Sequence, residues 1–98
     1  MAIATQDIAI TATPIDLSTA TDPDLSAEDS VVIENTSNGI GTVLRIAELA
    51  AAPTGDALDS NYLPIAHGEG YVATIEADLN IYVWSTTGET GRITVSNG

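Results

Sequence analysis

The chain has 98 residues, of which 44% are hydrophobic and 4% aromatic, and it contains neither Phe nor Cys. This length fits one domain over residues 1–98 with a single core, and the lack of Cys excludes disulfides and thiolate chemistry. Fourteen acidic side chains against two basic ones give a formal net charge of −12, which argues against nucleic-acid or anionic-membrane binding.

The N-terminal third predicts one strand and one long irregular segment. Residues 2–12 alternate loosely, with Ile8 and Ile10 on the same face, which is typical of a strand. Residues 13–30 are rich in Thr, Ser, Asp and Pro and poor in large apolar side chains, which predicts an extended loop or arm. A single helical turn is predicted after Ser26. The segment either packs on the core or reaches beyond it.

The middle of the chain predicts two more strands. Residues 31–35 form a short apolar strand, and the Asn-Gly pair at 38–39 favours a tight reversal after it. The stretch 43–50 alternates as a strand, although it also contains good helix formers. The glycines before it and Pro53 after it favour the strand. Residues 50–61 then form a loop that is long enough to carry function or to lie against a neighbouring surface.

The C-terminal third shows the clearest alternation. Residues 62–65 predict an edge strand, because the proline in them cannot donate to an interior ladder, and a glycine turn follows at 66–70. Apolar alternation then predicts three strands, at 71–76, 81–84 and 92–96.

The simplest arrangement pairs the last two of these strands as a hairpin. That register places Val83 opposite Ile93 and Trp84 beside Arg92, where a cation–π contact would form. The whole pattern predicts an all-β fold, a small antiparallel β-sandwich or a jelly-roll-like barrel of about six to seven strands.

The sequence offers little catalytic chemistry. His67 is the only His and lies in a glycine turn, and no nucleophile elbow, phosphate loop or zinc motif is present. We therefore expect no enzyme and no cofactor. Weak candidates for a calcium site are Asp22, Asp24, Asp56 and Asp59, because clustered loop carboxylates suit that ion. They lack the spacing and glycine of an EF-hand loop, so a solvated acidic surface is the preferred interpretation.

Four residues are candidates for contact with a partner. Arg45 and Arg92 are the only basic side chains, and each pairs either within the chain or across an interface. Tyr82 and Trp84 share a face by alternation, and they form either an outward binding surface or a second buried face. Asn35 begins an Asn-Thr-Ser glycosylation sequon, which has no use without export.

The C-terminal third resembles the ending of small virion proteins of tailed phages. In those proteins an Ile/Leu-Pro segment and a glycine turn precede a strand, an aromatic "lY-a/v-W/R-S" strand, a Gly-rich turn and a final "i-x-V-s" strand. The early "v-x-i-x-N" strand of such proteins is similar to residues 31–35, VVIEN. The matching C-terminal residues are Leu63, Pro64, Gly68, Gly70, Ile81, Tyr82, Trp84, Ser85, Gly88, Gly91, Ile93 and Val95.

This resemblance implies a capsid decoration or cement protein that acts as a homo-oligomer, with a trimer favoured. The implied partner is the major capsid protein or another virion protein with basic patches, which would complement the acidic chain. The expected location is the virion surface after synthesis in the host cytoplasm, since no leader is apparent. A head-fibre, neck or tail component is one alternative. A carbohydrate- or calcium-binding β-sandwich module is another.

Overall fold

A computed structural model describes residues 6–20, 28–39, 41–60, 62–86 and 89–97 of the chain. These residues contain eight strands, a one-turn helix α1 (Leu17–Ala20) and a 3₁₀ helix (Gly55–Asp59). No helix in these ranges is long and apolar enough to cross a membrane. The strands are β1 (Gln6–Ile10), β2 (Ile15–Asp16), β3 (Ser30–Asn35), β4 (Leu44–Leu49), β5 (Leu63–Ile65), β6 (Gly70–Thr74), β7 (Asn80–Trp84) and β8 (Gly91–Asn97).

The strands form two four-stranded sheets that pack face to face. Sheet A has the order β1-β8-β3-β6 and sheet B has the order β2-β7-β4-β5, and neighbouring strands are antiparallel in both. The chain crosses between the sheets after nearly every strand, and this order is that of an eight-stranded jelly roll. The predicted all-β sandwich is confirmed, with one strand more than the upper end of the prediction.

Alternating side chains from the two sheets fill the space between them. Each contributing strand turns one set of apolar residues inward and the other set away, as the period of two requires. The buried cluster joins Val31, Ile33, Ile93 and Val95 of sheet A to Leu44, Ile46, Ile81 and Val83 of sheet B, with Ile10, Leu17, Ile65, Ala73 and Ile75 around them.

The predicted hairpin between the last two strands is wrong. β7 lies between β2 and β4 in sheet B, whereas β8 lies between β1 and β3 in sheet A. Both strands have one apolar face, and these faces meet across the core instead of lying side by side in one sheet. Trp84 is opposite Arg45, not beside Arg92. The Asn-Gly pair also joins strands of different sheets and makes no hairpin.

Part of the predicted arm is packed against the core. Residues 15–16 form β2, which pairs with β7, and Leu17 in α1 is fully buried. The Asp16 carboxylate starts this turn by accepting hydrogen bonds from the backbone N–H and the hydroxyl of Ser18 at 3.0 and 2.6 Å. The stretch 43–50 contains β4 and is a strand, as predicted. The described part of the helical turn predicted after Ser26 is not helical, since Glu28 has a φ of 74° and β3 begins at Ser30. Residues 26 and 27 and the first residues of the predicted strand 2–12 lie outside the described ranges.

Asn35, at the end of β3, connects three parts of the sandwich. Its side chain is 1% exposed, and its Nδ2 donates to the carbonyls of Thr42 and Ile65 at 3.0 and 2.8 Å. Its Oδ1 accepts from the backbone N–H of Ser37 at 3.1 Å. The sequon asparagine is therefore a buried structural residue that joins β3 to β5 and to the segment between β3 and β4.

The first residue of β8 must be small. A Cβ atom on Gly91 would lie 2.6 Å from the Ser37 hydroxyl and 2.8 Å from Leu44 Cδ2, closer than real Cβ contacts come. Ser37 itself is buried and bonds the backbone of Arg92, its hydroxyl standing 3.0 Å from that N–H. The glycine thus lets β8 enter sheet A close to the segment that follows β3.

Candidate functional site

The outer face of sheet B, which points away from sheet A, holds an aromatic and cationic cluster. Arg45 and Trp84 are neighbours across β4 and β7. The Arg45 guanidinium lies 4.4 Å from the centre of the Tyr62 ring, and that ring meets Trp84 edge to face at 6.2 Å and 77°. Such geometry suits both a cation–π contact and a T-shaped aromatic pair.

Hydrogen bonds to a single backbone carbonyl hold the 3₁₀ helix over this cluster. The carbonyl of Leu58 accepts hydrogen bonds from Arg45 Nη1 at 2.6 Å and from Trp84 Nε1 at 3.1 Å. Arg45 also pairs with the Asp59 carboxylate at 2.7 Å, but the Asp59 side chain is 79% exposed, so this ion pair adds little stability. The loop predicted to carry function or meet a neighbour instead lies on the chain's own sheet.

The candidate partner residues Tyr82 and Trp84 form a second buried face. Tyr82 is 7% exposed and Trp84 is 1% exposed, although both point away from the inter-sheet core. Arg45 takes the intramolecular alternative through Leu58 and Asp59. Of the two alternatives that the sequence left open for Tyr82 and Trp84, the structure has the second buried face and not the outward surface. Alternation could show that these residues share a face, but it could not show that a loop covers it.

The fourth candidate, Arg92, lies on the outer face of sheet A and begins a chain of hydroxyl contacts. Its Nε donates to Thr36 Oγ1 at 3.3 Å and its Nη2 donates to the Thr36 carbonyl at 2.9 Å. The hydroxyls of Thr36 and Thr94 are 2.9 Å apart, and Thr94 donates to Asp7 Oδ1 at 2.8 Å. Because Thr94 uses its one proton on Asp7, the Thr36 hydroxyl is the donor between the two.

The other half of this outer face is apolar and exposed. Val72 is 71% exposed, the highest exposure among the large apolar side chains described, and it lies opposite Val32 across β6 and β3. Asp7 and Glu34 on the same face are also exposed. The outer face of sheet A thus combines a valine pair with hydroxyls and carboxylates that reach solvent.

An open groove of about 300 Å³ lies where β4 and β5 approach β6. At its rim the Tyr71 hydroxyl donates to the Glu48 carboxylate at 3.1 Å. Leu63, which is 56% exposed, adds apolar surface. The residues that line the groove are Ile46, Ala47, Glu48, Leu49, Tyr62, Leu63 and Tyr71.

The Tyr71–Glu48 contact predicts that the free energy of unfolding falls at alkaline pH. Burial, the charge of Glu48 and the hydrogen bond to it raise the pKa of Tyr71 above its ordinary value of 10.0. The folded state thus favours neutral Tyr71. Its contribution to the free energy of unfolding is complete below about pH 10 and is lost as pH rises through the pKa of Tyr71 in the folded state. Urea titrations between about pH 8 and pH 11.5 should show a steeper fall for the wild type than for Tyr71→Phe.

Glu48→Gln is the control for this prediction. It removes the negative charge and keeps a hydrogen-bond acceptor, so it should lower the pKa of Tyr71 and make the fall at alkaline pH less steep. Parallel stability curves for the wild type and Tyr71→Phe above about pH 10 would contradict the assignment.

Two of the four metal candidates, Asp56 and Asp59, lie within the described residues. Asp56 and Asp59 belong to the same 3₁₀ helix, where Asp59 pairs with Arg45 and Asp56 is exposed. Asp22 and Asp24 lie outside the described residues. Within the part of the chain that the structure describes, no group of three His, Cys, Asp or Glu residues is placed to hold a metal ion.

Comparison of the chain with protein-family models, with curated proteins and with solved structures finds no match. The functional interpretation therefore depends on the geometry and on the C-terminal resemblance. Most described residues that carry the resemblance are structural: Ile81, Trp84, Ser85, Ile93 and Val95 are buried, and Gly68 has a φ of 83° in the turn before β6.

Two structural residues were not identified from the sequence. Tyr62 was treated as part of an edge strand, yet its ring lies between Arg45 and Trp84. Asn35 ends the predicted strand 31–35 and begins a sequon, and the structure makes it a buried hydrogen-bonding centre. A signal for Asn35 did exist, because it continues the inward alternation of Val31 and Ile33.

Proposed function

We propose that this chain is a non-enzymatic structural protein of a phage particle that decorates the capsid surface through protein–protein contacts. The proposed partner is the major capsid protein or another virion protein with basic patches, and the proposed location is the virion surface. The C-terminal resemblance and the net charge of −12 support this proposal. The jelly-roll order is compatible with it, because this architecture occurs in viral capsid domains as well as in lectins.

The unequal covering of the two outer faces carries the proposal. On sheet B the 3₁₀ helix covers Arg45 and Trp84, so the chain already occupies that surface. On sheet A, Val72 and Glu34 are exposed on a four-stranded surface. The exposed Val72 beside the half-buried Val32, rimmed by polar groups, is a surface that a protein partner can cover. The outer face of sheet A is therefore the proposed docking side.

Deletion of the gene from the phage that encodes the chain tests this function. We expect purified wild-type particles to contain the protein by mass spectrometry, and particles without it to lose their DNA at lower temperature. Adding back the purified protein should restore the wild-type behaviour. Particles that lack the protein from the start, or deletion particles with unchanged heat resistance, would refute a decorating role on the capsid. Loss of adsorption alone would instead favour the head-fibre, neck or tail alternative.

The trimer is a separate part of the proposal. Light scattering of the purified protein in solution should give a mass near three times 10.1 kDa. A monomer in solution that decorates singly would remove the trimer and leave the decorating function intact.

A carbohydrate-binding module is the second candidate, and the groove beside β4 favours it. Tyr82 and Trp84 are buried, so a sugar would meet Tyr62, Tyr71 and Glu48 instead. Aromatic rings can stack on a sugar, and a neighbouring carboxylate can accept hydrogen bonds from the sugar hydroxyls. A glycan screen with Tyr71→Ala as the matched variant tests this function, and melting with calcium and with chelator tests the calcium alternative.

A further inference from the structure

The β6 strand forms one edge of sheet A, and its pairing with β3 fixes which backbone groups face outward. At one end of the pair the N–H of Ile75 donates to the carbonyl of Asp29 at 2.8 Å. At the other end the N–H of Asn35 donates to the carbonyl of Glu69 at 3.0 Å. Hydrogen-bonded pairs alternate with non-bonded pairs in an antiparallel ladder, so these two ends set the phase between them.

The phase leaves three residues with outward backbone groups. Tyr71 and Ala73 fall on the hydrogen-bonded positions with β3, since they lie two and four residues after Glu69. Gly70, Val72 and Thr74 therefore direct their N–H and C=O groups away from β3, toward the edge. All three are exposed, in agreement with this assignment. No described strand pairs with this side of β6, so the edge offers a row of donors and acceptors to an added strand.

β6 also lacks the features that usually protect a sheet edge. Its sequence, GYVAT, contains neither a charge nor a proline, both of which commonly block edge pairing. The other three edge strands described are less open. β1 carries Asp7, β2 has two residues, and β5 has three residues of which one is Pro64.

The charges around β6 select the occupant. Exposed carboxylates flank both ends of the strand, with Glu34 and Glu69 at one end and Glu28 and Glu76 at the other. The chain has two basic residues, and both are engaged elsewhere, by Leu58 and Asp59 in one case and by Thr36 in the other. A second copy paired at this edge would set its own flanking carboxylates against these, which opposes self-pairing at β6.

We propose that β6 binds an extended segment of a partner protein as an added fifth strand of sheet A. The segment has a central apolar residue that packs beside Val72, and it has Lys or Arg at both ends that pair with the flanking carboxylates. Backbone hydrogen bonds to Gly70, Val72 and Thr74 provide the recognition that is independent of side chains. This inference rests on the proposed function only in taking the partner to be a protein.

The test uses the whole chain and a defined probe, the acetylated and amidated peptide KKTVTKK. By NMR we expect the peptide to slow amide exchange of Gly70, Val72 and Thr74 by about tenfold or more at saturation. The same peptide with glutamate in place of lysine should not bind. Binding should weaken as salt is raised, because exposed charges make the contact.

The decisive variants differ at one position. Val72→Pro removes an outward N–H without removing a ladder hydrogen bond, as edge positions allow, and should weaken peptide binding by about tenfold or more. Val72→Thr keeps the N–H and a β-branched side chain, and its affinity should stay within about threefold of the wild type. A melting curve for each variant confirms that it is folded, and Ala9→Pro on β1 serves as a second edge control.

Three results would overturn the proposal. The first is equal peptide binding by folded Val72→Pro and by the wild type. The second is protection of amides away from β6. The third is a concentration-dependent dimer in light scattering that Val72→Pro dissociates, which would make a second copy the occupant. The assay contains no particles, so its result is independent of the deletion experiment. Peptide binding can fail while the deletion experiment succeeds, and peptide binding can succeed while the deletion experiment fails.

Discussion

Truncating Trp84 to alanine is expected to lower the free energy of unfolding by about 3–5 kcal/mol, the cost of removing a large aromatic side chain from a packed site. Trp84 is 1% exposed and is the largest fully buried side chain among the described residues. Its removal leaves a cavity beside Tyr62 and frees the Leu58 carbonyl from one of its two donors. Urea denaturation followed by circular dichroism measures the loss, since the variant has no tryptophan fluorescence.

Two control variants separate the parts of this effect. Trp84→Phe keeps most of the ring and loses the Nε1–H, so it should cost less, about 1–2 kcal/mol. Leu63→Ala removes a side chain that is 56% exposed, and we expect a change of about 0.5 kcal/mol or less. A loss below about 1 kcal/mol for Trp84→Ala would mean that the loop does not bury the ring in solution.

The location of Trp84 shows what alternation in a sequence can and cannot predict. Alternation correctly separated Ile81 and Val83 from Tyr82 and Trp84, because a strand turns successive side chains to opposite faces. It could not predict that the second face is covered, since this depends on where the loop after β4 folds back. The loop reaches that face through a hydrogen bond between Trp84 and the Leu58 carbonyl, which are 26 residues apart.

Sheet membership was the second feature beyond reach of the sequence. The existence of most strands, including β4, followed from local patterns of apolar residues and turns. The pairing of those strands is set by long-range packing, and two neighbouring strands with the same alternation can lie side by side or face to face. The chain places β7 and β8 face to face, in different sheets. β2 was missed because two paired residues carry no periodic signal.

The proposed docking side is not the one that holds most of the aromatic and basic residues, for the same reason. Aromatic and basic residues are common at interfaces, so Tyr82, Trp84, Arg45 and Arg92 were reasonable candidates. Three of them serve the chain's own packing, and Arg92 organises the hydroxyl contacts of Thr36. The most exposed large apolar side chain described is instead that of a small β-branched residue, Val72, which no motif marks. Its exposure follows from the alternation of β6, which turns Val72 away from the core, and from the position of β6 at the edge of the sheet.

Replacing Asn35 with aspartate is expected to be among the most damaging isosteric changes available, with a loss of about 3–5 kcal/mol at pH 7. The Nδ2 group of Asn35 donates to two carbonyls, those of Thr42 and Ile65. Asn35→Asp places an oxygen where that donor was, so acceptors face acceptors at a site that is 1% exposed. Urea denaturation at pH 7 measures the loss.

A pH series distinguishes this mechanism from simple loss of packing. Burial and the two facing carbonyls should hold the pKa of the introduced carboxyl above its ordinary value of about 3.9. Such a group contributes stability below its unfolded pKa and loses it as pH rises through the folded value, because only the protonated form can donate. Asn35→Asp should therefore approach the wild type at about pH 4 and diverge from it toward pH 7.

Asn35→Ala is the matched comparison, because it removes the two hydrogen bonds that Asn35→Asp also loses, and the bond from Ser37 as well, without adding a charge. We expect it to cost about 2–4 kcal/mol, with a difference from the wild type that is nearly constant from about pH 4 to pH 7. If the two variants lose stability in parallel across this range, the site tolerates a charge and is open to water. If the difference between them grows with pH, the sequon asparagine is a buried donor on which the join between β3 and β5 depends.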